Sequence, residues 1–270
     1  MLAKELRTKH IMMTTMLDLF FSLAERGMMY RIDNLGKQAM KNALIAIILY
    51  TFVPASFAGT ETEPIIYWDS QAGKALHTHI LPDADYWELI PTFAMQDTQS
   101  YCSVASAITV LNAMPIKKPV DPTYAPYSYF TQRNYFTADV IKIISPQTVL
   151  AMGMTREQMT ETLIAQGVHA KSIAGDTLSD DELRALLKNT LVNDGQYVLV
   201  NYLRATLGQV GGGHWSVLAA YDSQSDRVLV LDVAKYKYPP VWVSVNMLRQ
   251  AIATLDTASN QARGLVIVSK

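Results

Sequence analysis

The stretch Gln96-Asp97-Thr98-Gln99-Ser100-Tyr101-Cys102-Ser103-Val104-Ala105-Ser106-Ala107-Ile108-Thr109-Val110-Leu111-Asn112-Ala113 carries the only cysteine of the chain. The residues after the thiol predict a helix over 102–114: Ala105, Ile108, Val110, Leu111 and Met114 supply an apolar face, and Pro115 stops it. A thiol becomes a nucleophile when its thiolate is stabilised, usually by a helix N-terminus and by an imidazolium partner. Cys102 stands where the predicted helix begins, so unpaired N–H groups and the helix dipole favour the anion. Gln96, six residues upstream, is placed to fold its amide back beside the thiol. Together with the Cys102 N–H it would donate to an oxyanion. The unreactive alternative is a small buried hydrophobe, the commoner role of a single cysteine.

The base must come from a distant part of the chain, which has five histidines. Leu76-His77-Thr78-His79-Ile80 alternates like a strand, but two imidazoles without a third ligand make a weak metal site and an exposed strand is the simpler reading. His169 follows Gly167 in a predicted loop with no acidic partner in view, and His10 lies near the N-terminus. His214 follows Gly211-Gly212-Gly213 and opens an apolar strand, a place where backbone can be approached closely. Asp232 ends the run Val228-Leu229-Val230-Leu231, an unusual position for a carboxylate unless it is paired. Adjacent antiparallel strands would bring Asp232 to His214 and fix the imidazole tautomer. On spacing alone a loop histidine and a strand-end aspartate fit equally well, and Cys-His-Asp in this order gives a reaction type without a substrate.

The rest of the chain frames these residues. Of 270 residues 50% are hydrophobic and 17% charged, with a net charge of −1, which gives no basic face for nucleic acid. Residues 43–53 form an apolar run after Lys37 and Lys41, too short for an ordinary transmembrane helix, and Ser56 and Ala58 suit a signal-peptidase site. The expected layout is therefore a leader over 1–58, with Met40 as the true start and 1–39 an over-long reading, then one catalytic domain over 59–270. Export to the periplasm follows from signal peptide 40–58, with no stable membrane insertion after cleavage. Pro64–Trp68 predicts a short strand, while capping boxes at Thr155–Gln158 and Ser179–Glu182 open helices near 156–166 and 180–192, ending at Gly167 and Gly195. Tyr197–Leu203, Trp215–Tyr221, Val228–Val233, Val241–Val243 and Leu265–Val268 predict strands, with a turn at 223–226 and a helix near 244–255. A helical lobe carrying Cys followed by an antiparallel sheet carrying His and Asp is an α+β layout.

The local words are more specific than the spacing. Gln96 through Ala113 resembles the nucleophile segment of the phytochelatin synthases, and Tyr127-Ser128-Tyr129-Phe130-Thr131-Gln132 resembles a second block of that family. Val200-Asn201-Tyr202-Leu203-Arg204, Gly212-Gly213-His214, the run from Asp232 to Val243 and Arg263-Gly264-Leu265-Val266 follow in family order. The resemblance is to the short bacterial form; the Cys-rich C-terminal half of the plant enzymes has no counterpart. It implies a papain-like fold and attack of Cys102 on the Cys–Gly bond of glutathione, releasing glycine and leaving a γ-glutamylcysteinyl thioester. By the same resemblance His214 activates the thiol, Asp232 orients His214 and Gln96 stabilises the oxyanion. Asn201, Arg204 and Arg263 match residues lining the γ-glutamyl pocket, and arginine offers a bidentate fork for its carboxylate.

Three positions depart from the family pattern. Ser103 stands where Gly is common, Ser216-Val217 replaces Ser-Pro, and Lys235 stands where Arg is frequent, which bears on contacts to a second substrate. No cofactor is implied; heavy-metal ions such as Cd and Zn enter as activators through metal–glutathione thiolates. No protein metal site is expected, and a homodimer is compatible. The short form and Lys235 favour hydrolysis over peptide elongation. Other readings are an exported papain-like peptidase similar to bacteriocin-processing peptidases, and a non-catalytic periplasmic thiol or metal binder.

Overall fold

The computed structural model describes residues 65–192 and 195–270. The leader expected over 1–58 lies outside these residues. The first described elements are strand β1 (Ile66–Tyr67) and helix α1 (Gln71–His77). His77 and His79 are thus not on a strand: Ser70 caps α1 by accepting from Gly73 N, and His77 closes its last turn with Nδ1 2.9 Å from Gly73 O. The alternation that suggested a strand is only the end of a helical turn. The His77 ring packs edge-on against Trp68, Tyr86 and Trp242, and His79 turns to Asp222 at 3.4 Å. Among the described residues no group of three His, Cys, Asp or Glu side chains is clustered to hold a metal ion.

The helical part continues with α2 (Tyr86–Leu89), α3 (Cys102–Ala113), α4 (Ala138–Ile143), α5 (Pro146–Met152) and α6 (Arg156–Ala165). The capping box of α6 forms as its sequence predicts, and Gly167 follows it with a φ of 86°. His169 opens strand β2 (His169–Ala174) rather than lying in a loop. Its signal was weak because β2 is an edge strand of mixed exposure. Helix α7 (Asp180–Thr190) also has its capping box, but it ends at Thr190, so Gly195 precedes the next strand and does not cap the helix.

Strands β3 (Gln196–Leu203), β4 (Gly213–Asp222), β5 (Arg227–Leu231) and β6 (Val241–Ser244) follow, then helix α8 (Val245–Ile252). A short hairpin, β7 (Leu255–Asp256) with β8 (Gln261–Ala262), leads into β9 (Gly264–Ser269). One seven-stranded sheet runs β1-β6-β5-β4-β3-β9-β2, every pairing antiparallel. The predicted turn at 223–226 joins β4 to β5, with Asp226 in the left-handed region.

The sheet is covered on both faces. Tyr197, Leu199, Trp215 and Val217 pack into one core with α3, whereas Val198, Val200, Tyr202 and Leu218 pack into a second with α7 and α8. That is why the strands read as continuous apolar runs rather than a strict alternation. Helix α3 lies across β4 and is buried from Cys102 to Asn112. Its small residues Ala105, Ser106, Ala107 and Thr109 allow this close approach.

Gly264 sits where β9 passes β2; a Cβ there would lie 2.0 Å from Ile173 O. Gly264→Ala therefore forces the two strands apart. It is expected to lower stability by about 1–3 kcal/mol, read as a loss of denaturation midpoint.

Candidate active site

Cys102 is the first residue of α3, and buried apolar packing holds that helix against β4. His214 is the second residue of β4, and Asp232 follows the end of β5 directly. Because β4 and β5 pair with Val217 opposite Leu231, the strand register brings the two residues to the same end of the sheet. His214 Nε2 lies 2.8 Å from Asp232 Oδ1. The other ring nitrogen is left for the thiol, to which His214 is hydrogen-bonded.

The electrostatics follow from this contact. Burial pushes the Cys102 thiol up, but the His214 charge and hydrogen bond, with backbone donors at Trp215 and Ser103, carry it below its ordinary value. Burial pushes His214 down, and the charge on Cys102 and the hydrogen bond to Asp232 more than offset this, so the imidazole is raised. Both directions favour the thiolate and the imidazolium over their neutral forms. Asp232, fully buried, is held far below the usual carboxylate range: burial opposes its charge, and the bonds from His214 and Arg204 overcome it.

Arg204 is drawn into this network. Its Nη1 donates to Asp232 Oδ2 at 2.7 Å and its Nη2 to Oδ1 at 2.8 Å, while Nη1 also meets Gln209 Oε1 at 2.7 Å. The expected role of a fork open to a substrate carboxylate therefore does not fit this geometry, because the fork is closed on Asp232. Asn201, on β3, accepts from Arg263 Nη1 at 2.9 Å, and Arg263 Nε is buried with no partner. Gly213 exists for Arg263: a Cβ there would lie 2.1 Å from Nη1. The Arg263 guanidinium thus packs on Gly213, next to His214 in the chain, with its Nη2 3.6 Å from Asp256 Oδ1.

Gln96 is pinned by its own N–H to Val233 O at 2.9 Å. The Gln132 side chain clamps the flanking backbone, accepting from Asp97 N and donating to Met95 O, each at 2.9 Å. The amide Nε2 of Gln96 donates to Thr98 O and to the Tyr236 hydroxyl, both at 2.8 Å, and its Oε1 is buried without a partner. Ser103 is buried in α3 with an unpartnered hydroxyl. Lys235 is not brought to the site, since its Nζ donates to Phe93 O at 2.7 Å and sits 3.7 Å over the Phe93 ring.

A cavity of about 320 Å³ opens at this point, lined by Gln96, Arg204, the Gly211–Gly213 loop, His214, Tyr236 and Lys237. Its size suits a small molecule. Sequence reasoning missed Gln132, Tyr236 and Tyr202. The Tyr202 ring stands edge-on to His214 at 5.6 Å, and the register placing it opposite His214 was the available signal.

A helix-borne thiol facing a sheet-borne imidazole, itself held by a buried carboxylate, is the papain-type arrangement of an α+β cysteine-nucleophile protein. The profile of the phytochelatin synthase family matches residues 60–265, and the chain belongs to that family. It is 28% identical over 210 residues to glutathione gamma-glutamylcysteinyltransferase 3 of Lotus japonicus, covering 77% of this chain and 43% of that one. The figures for glutathione gamma-glutamylcysteinyltransferase 1 of Triticum aestivum are 29%, 77% and 41%. The enzyme of that name from Schizosaccharomyces pombe is 24% identical over 90% of this chain and 58% of its own. The chain thus spans less than two thirds of each of these relatives. A looser likeness, TM-score 0.40 at 14% identity over 65% of this chain and 96% of the other, is to the peptidase domain of Streptococcus ComA; nothing rests on it.

Asp232→Asn removes the carboxylate that helps raise His214 and leaves the Arg204 cation beside the imidazole. The imidazolium is then disfavoured and the thiolate loses its partner. Alkylation of Cys102 by iodoacetamide, followed against pH, is expected to shift its midpoint upward in the variant.

Proposed function

We propose that this chain cleaves the Cys–Gly peptide bond of glutathione. The Cys102 thiolate attacks the carbonyl carbon, a C–S bond forms, and the carbonyl electron pair moves to oxygen. Collapse breaks the C–N bond, and His214 gives its proton to the leaving glycine. A γ-glutamylcysteinyl thioester remains on Cys102. Water, or the thiolate-bearing second glutathione acting through its amine, then takes the acyl group with His214 as base. The observation that carries this reading is the buried Cys102–His214–Asp232 chain, whose His214 lines a cavity, in a member of this family.

The contacts support a role for each residue. Asp232 holds the imidazole, and Arg204 holds Asp232. Arg263 and Asn201 form the buried polar pair suited to the γ-glutamyl carboxylate, where a guanidinium desolvated by its surroundings binds an anion strongly. Ser103, next to the nucleophile, is buried within α3, and its backbone N–H favours the Cys102 thiolate. Hydrolysis is the faster fate of the thioester, because Lys235 is turned onto Phe93 and leaves less cationic help for a second glutathione. Cadmium or zinc enters with the substrate, as its thiolate complex. The protein is exported through the leader at 40–58.

Glutathione incubated with the protein is expected to release glycine and leave an intact-mass increment on Cys102 equal to the γ-glutamylcysteinyl group. Cys102→Ser should lose at least about a thousandfold in rate; undiminished cleavage by that variant would overturn the mechanism. Chromatography of the products with and without cadmium should give γ-glutamylcysteine ahead of longer oligomers. Mass spectrometry of the native protein should find Gly59 at its N-terminus.

A further inference from the structure

His214 has to keep one ring nitrogen on Asp232 and offer the other to Cys102, yet the chain before it gives the ring nothing to lean on. Gly211, Gly212 and Gly213 carry no side chains, and His214 itself lines the cavity. The bond between Nε2 and Asp232 fixes a single atom, about which the imidazole can still swing. Tyr202 supplies the missing surface. It stands directly opposite His214 in the β3–β4 register, is fully buried, and meets the imidazole edge to face, with centroids 5.6 Å apart and planes at 86°. That is a favoured geometry for two rings. The same ring lies 5.9 Å from Arg204 Cζ, within reach of a cation–π contact. One ring therefore braces both of the side chains that hold Asp232. Its hydroxyl serves no such purpose. Buried beside Ser216, it makes no hydrogen bond to His214 or Asp232, and burial together with the Asp232 charge keeps the phenol un-ionised.

We propose that Tyr202 is a positioning residue of the active site: its ring, set against His214 and Arg204, fixes the plane of the imidazole so that the second ring nitrogen stays on the Cys102 sulfur. The inference rests on the reading of Cys102 as the nucleophile. The charged and titratable groups around the imidazole are Cys102, Asp232, Arg204 and, against Gly213, Arg263. None of them offers it a flat apolar face. Without the Tyr202 ring the imidazole swings, and the thiol loses the charge and hydrogen bond that carry it below its ordinary value. A fully buried ring cannot touch a substrate in the cavity, so its loss slows the chemistry and spares binding.

The test compares Tyr202→Leu, which removes the ring, with Tyr202→Phe, which keeps it. Leu187→Ala on α7 is the control for lost stability: Leu187 is fully buried in the same core as Tyr202 but lines a separate groove with Leu191 and Tyr221. Two quantities are read below the denaturation midpoint of every variant: alkylation of Cys102 by iodoacetamide against pH, and kcat and KM for glutathione. Tyr202→Leu is expected to move the alkylation midpoint upward and to lower kcat by roughly tenfold to a hundredfold, the scale of a misplaced catalytic group, with KM little changed. Tyr202→Phe should restore the parent's midpoint and rate, and Leu187→Ala should lose stability without moving the midpoint. A Tyr202→Leu protein with the parent's midpoint overturns the proposal. So does a Tyr202→Phe protein as impaired as Tyr202→Leu, or a Leu187→Ala protein shifted as far. If Tyr202→Leu does not fold, Tyr202→Met, long but without a ring, is judged by the same outcomes. The alkylation assay needs no glutathione, which keeps the two readings apart. A midpoint that shifts in a protein unable to cleave glutathione removes the substrate reading and leaves the brace standing; cleavage of glutathione with an unmoved midpoint does the reverse.

Discussion

Everything at the site depends on a carboxylate with no access to water. A buried, charged Asp232 is tolerable only if its oxygens are filled by donors. Four are supplied: His214 Nε2, both terminal nitrogens of Arg204, and the backbone N–H of Ala234 at 2.9 Å. Arg204 is in reach because the chain turns sharply after β3. Gly208 takes a left-handed φ of 71°, and Arg204 N closes the loop on Gly212 O at 3.1 Å. The same loop delivers His214 at the start of β4. One buried anion thus fixes the ends of three strands and the orientation of the imidazole that charges the thiol.

The opposite wall is set by packing rather than by charge. Helix α3 presses its small residues against β4, with Trp215 and Val217 beneath it. Asn112 then grips Phe130 by both backbone groups at 2.9 Å, and two residues on Gln132 grips the segment holding Gln96. The second sequence block therefore serves as a splint between the end of the nucleophile helix and its beginning.

Much of this was legible in the sequence, for physical reasons that can be named. The capping boxes at Thr155 and Ser179 are local and formed as written. Cys102 at a helix start, and His214 and Asp232 at the ends of neighbouring strands, could be inferred from breakers and apolar runs. The strand β2 and the hairpin β7–β8 are short or edge elements whose pairing is long-range, so no local pattern announces them. The helix at 71–77 was hidden by the His-X-His alternation, which its Ser70 cap overrides. Residue roles were harder still. Nothing in the sequence says that the Arg204 fork closes on Asp232, that Lys235 turns onto Phe93, or that Tyr236 fills a donor of Gln96, because each is a choice among distant partners made by the tertiary fold.

The three glycines before His214 have a consequence for how the two sides of the site respond to load. The nucleophile sits on a helix packed on all sides, so displacing the sulfur means compressing a dense core. In the cavity wall Gly211, Gly212 and Gly213 carry no side chains and are exposed, with Gly211 at a φ of 130° that other residues rarely adopt. The site is thus stiff on one side and compliant on the other. Any adjustment to the shape of an incoming acyl group falls on the glycine wall, and the sulfur stays where the imidazole was built to meet it.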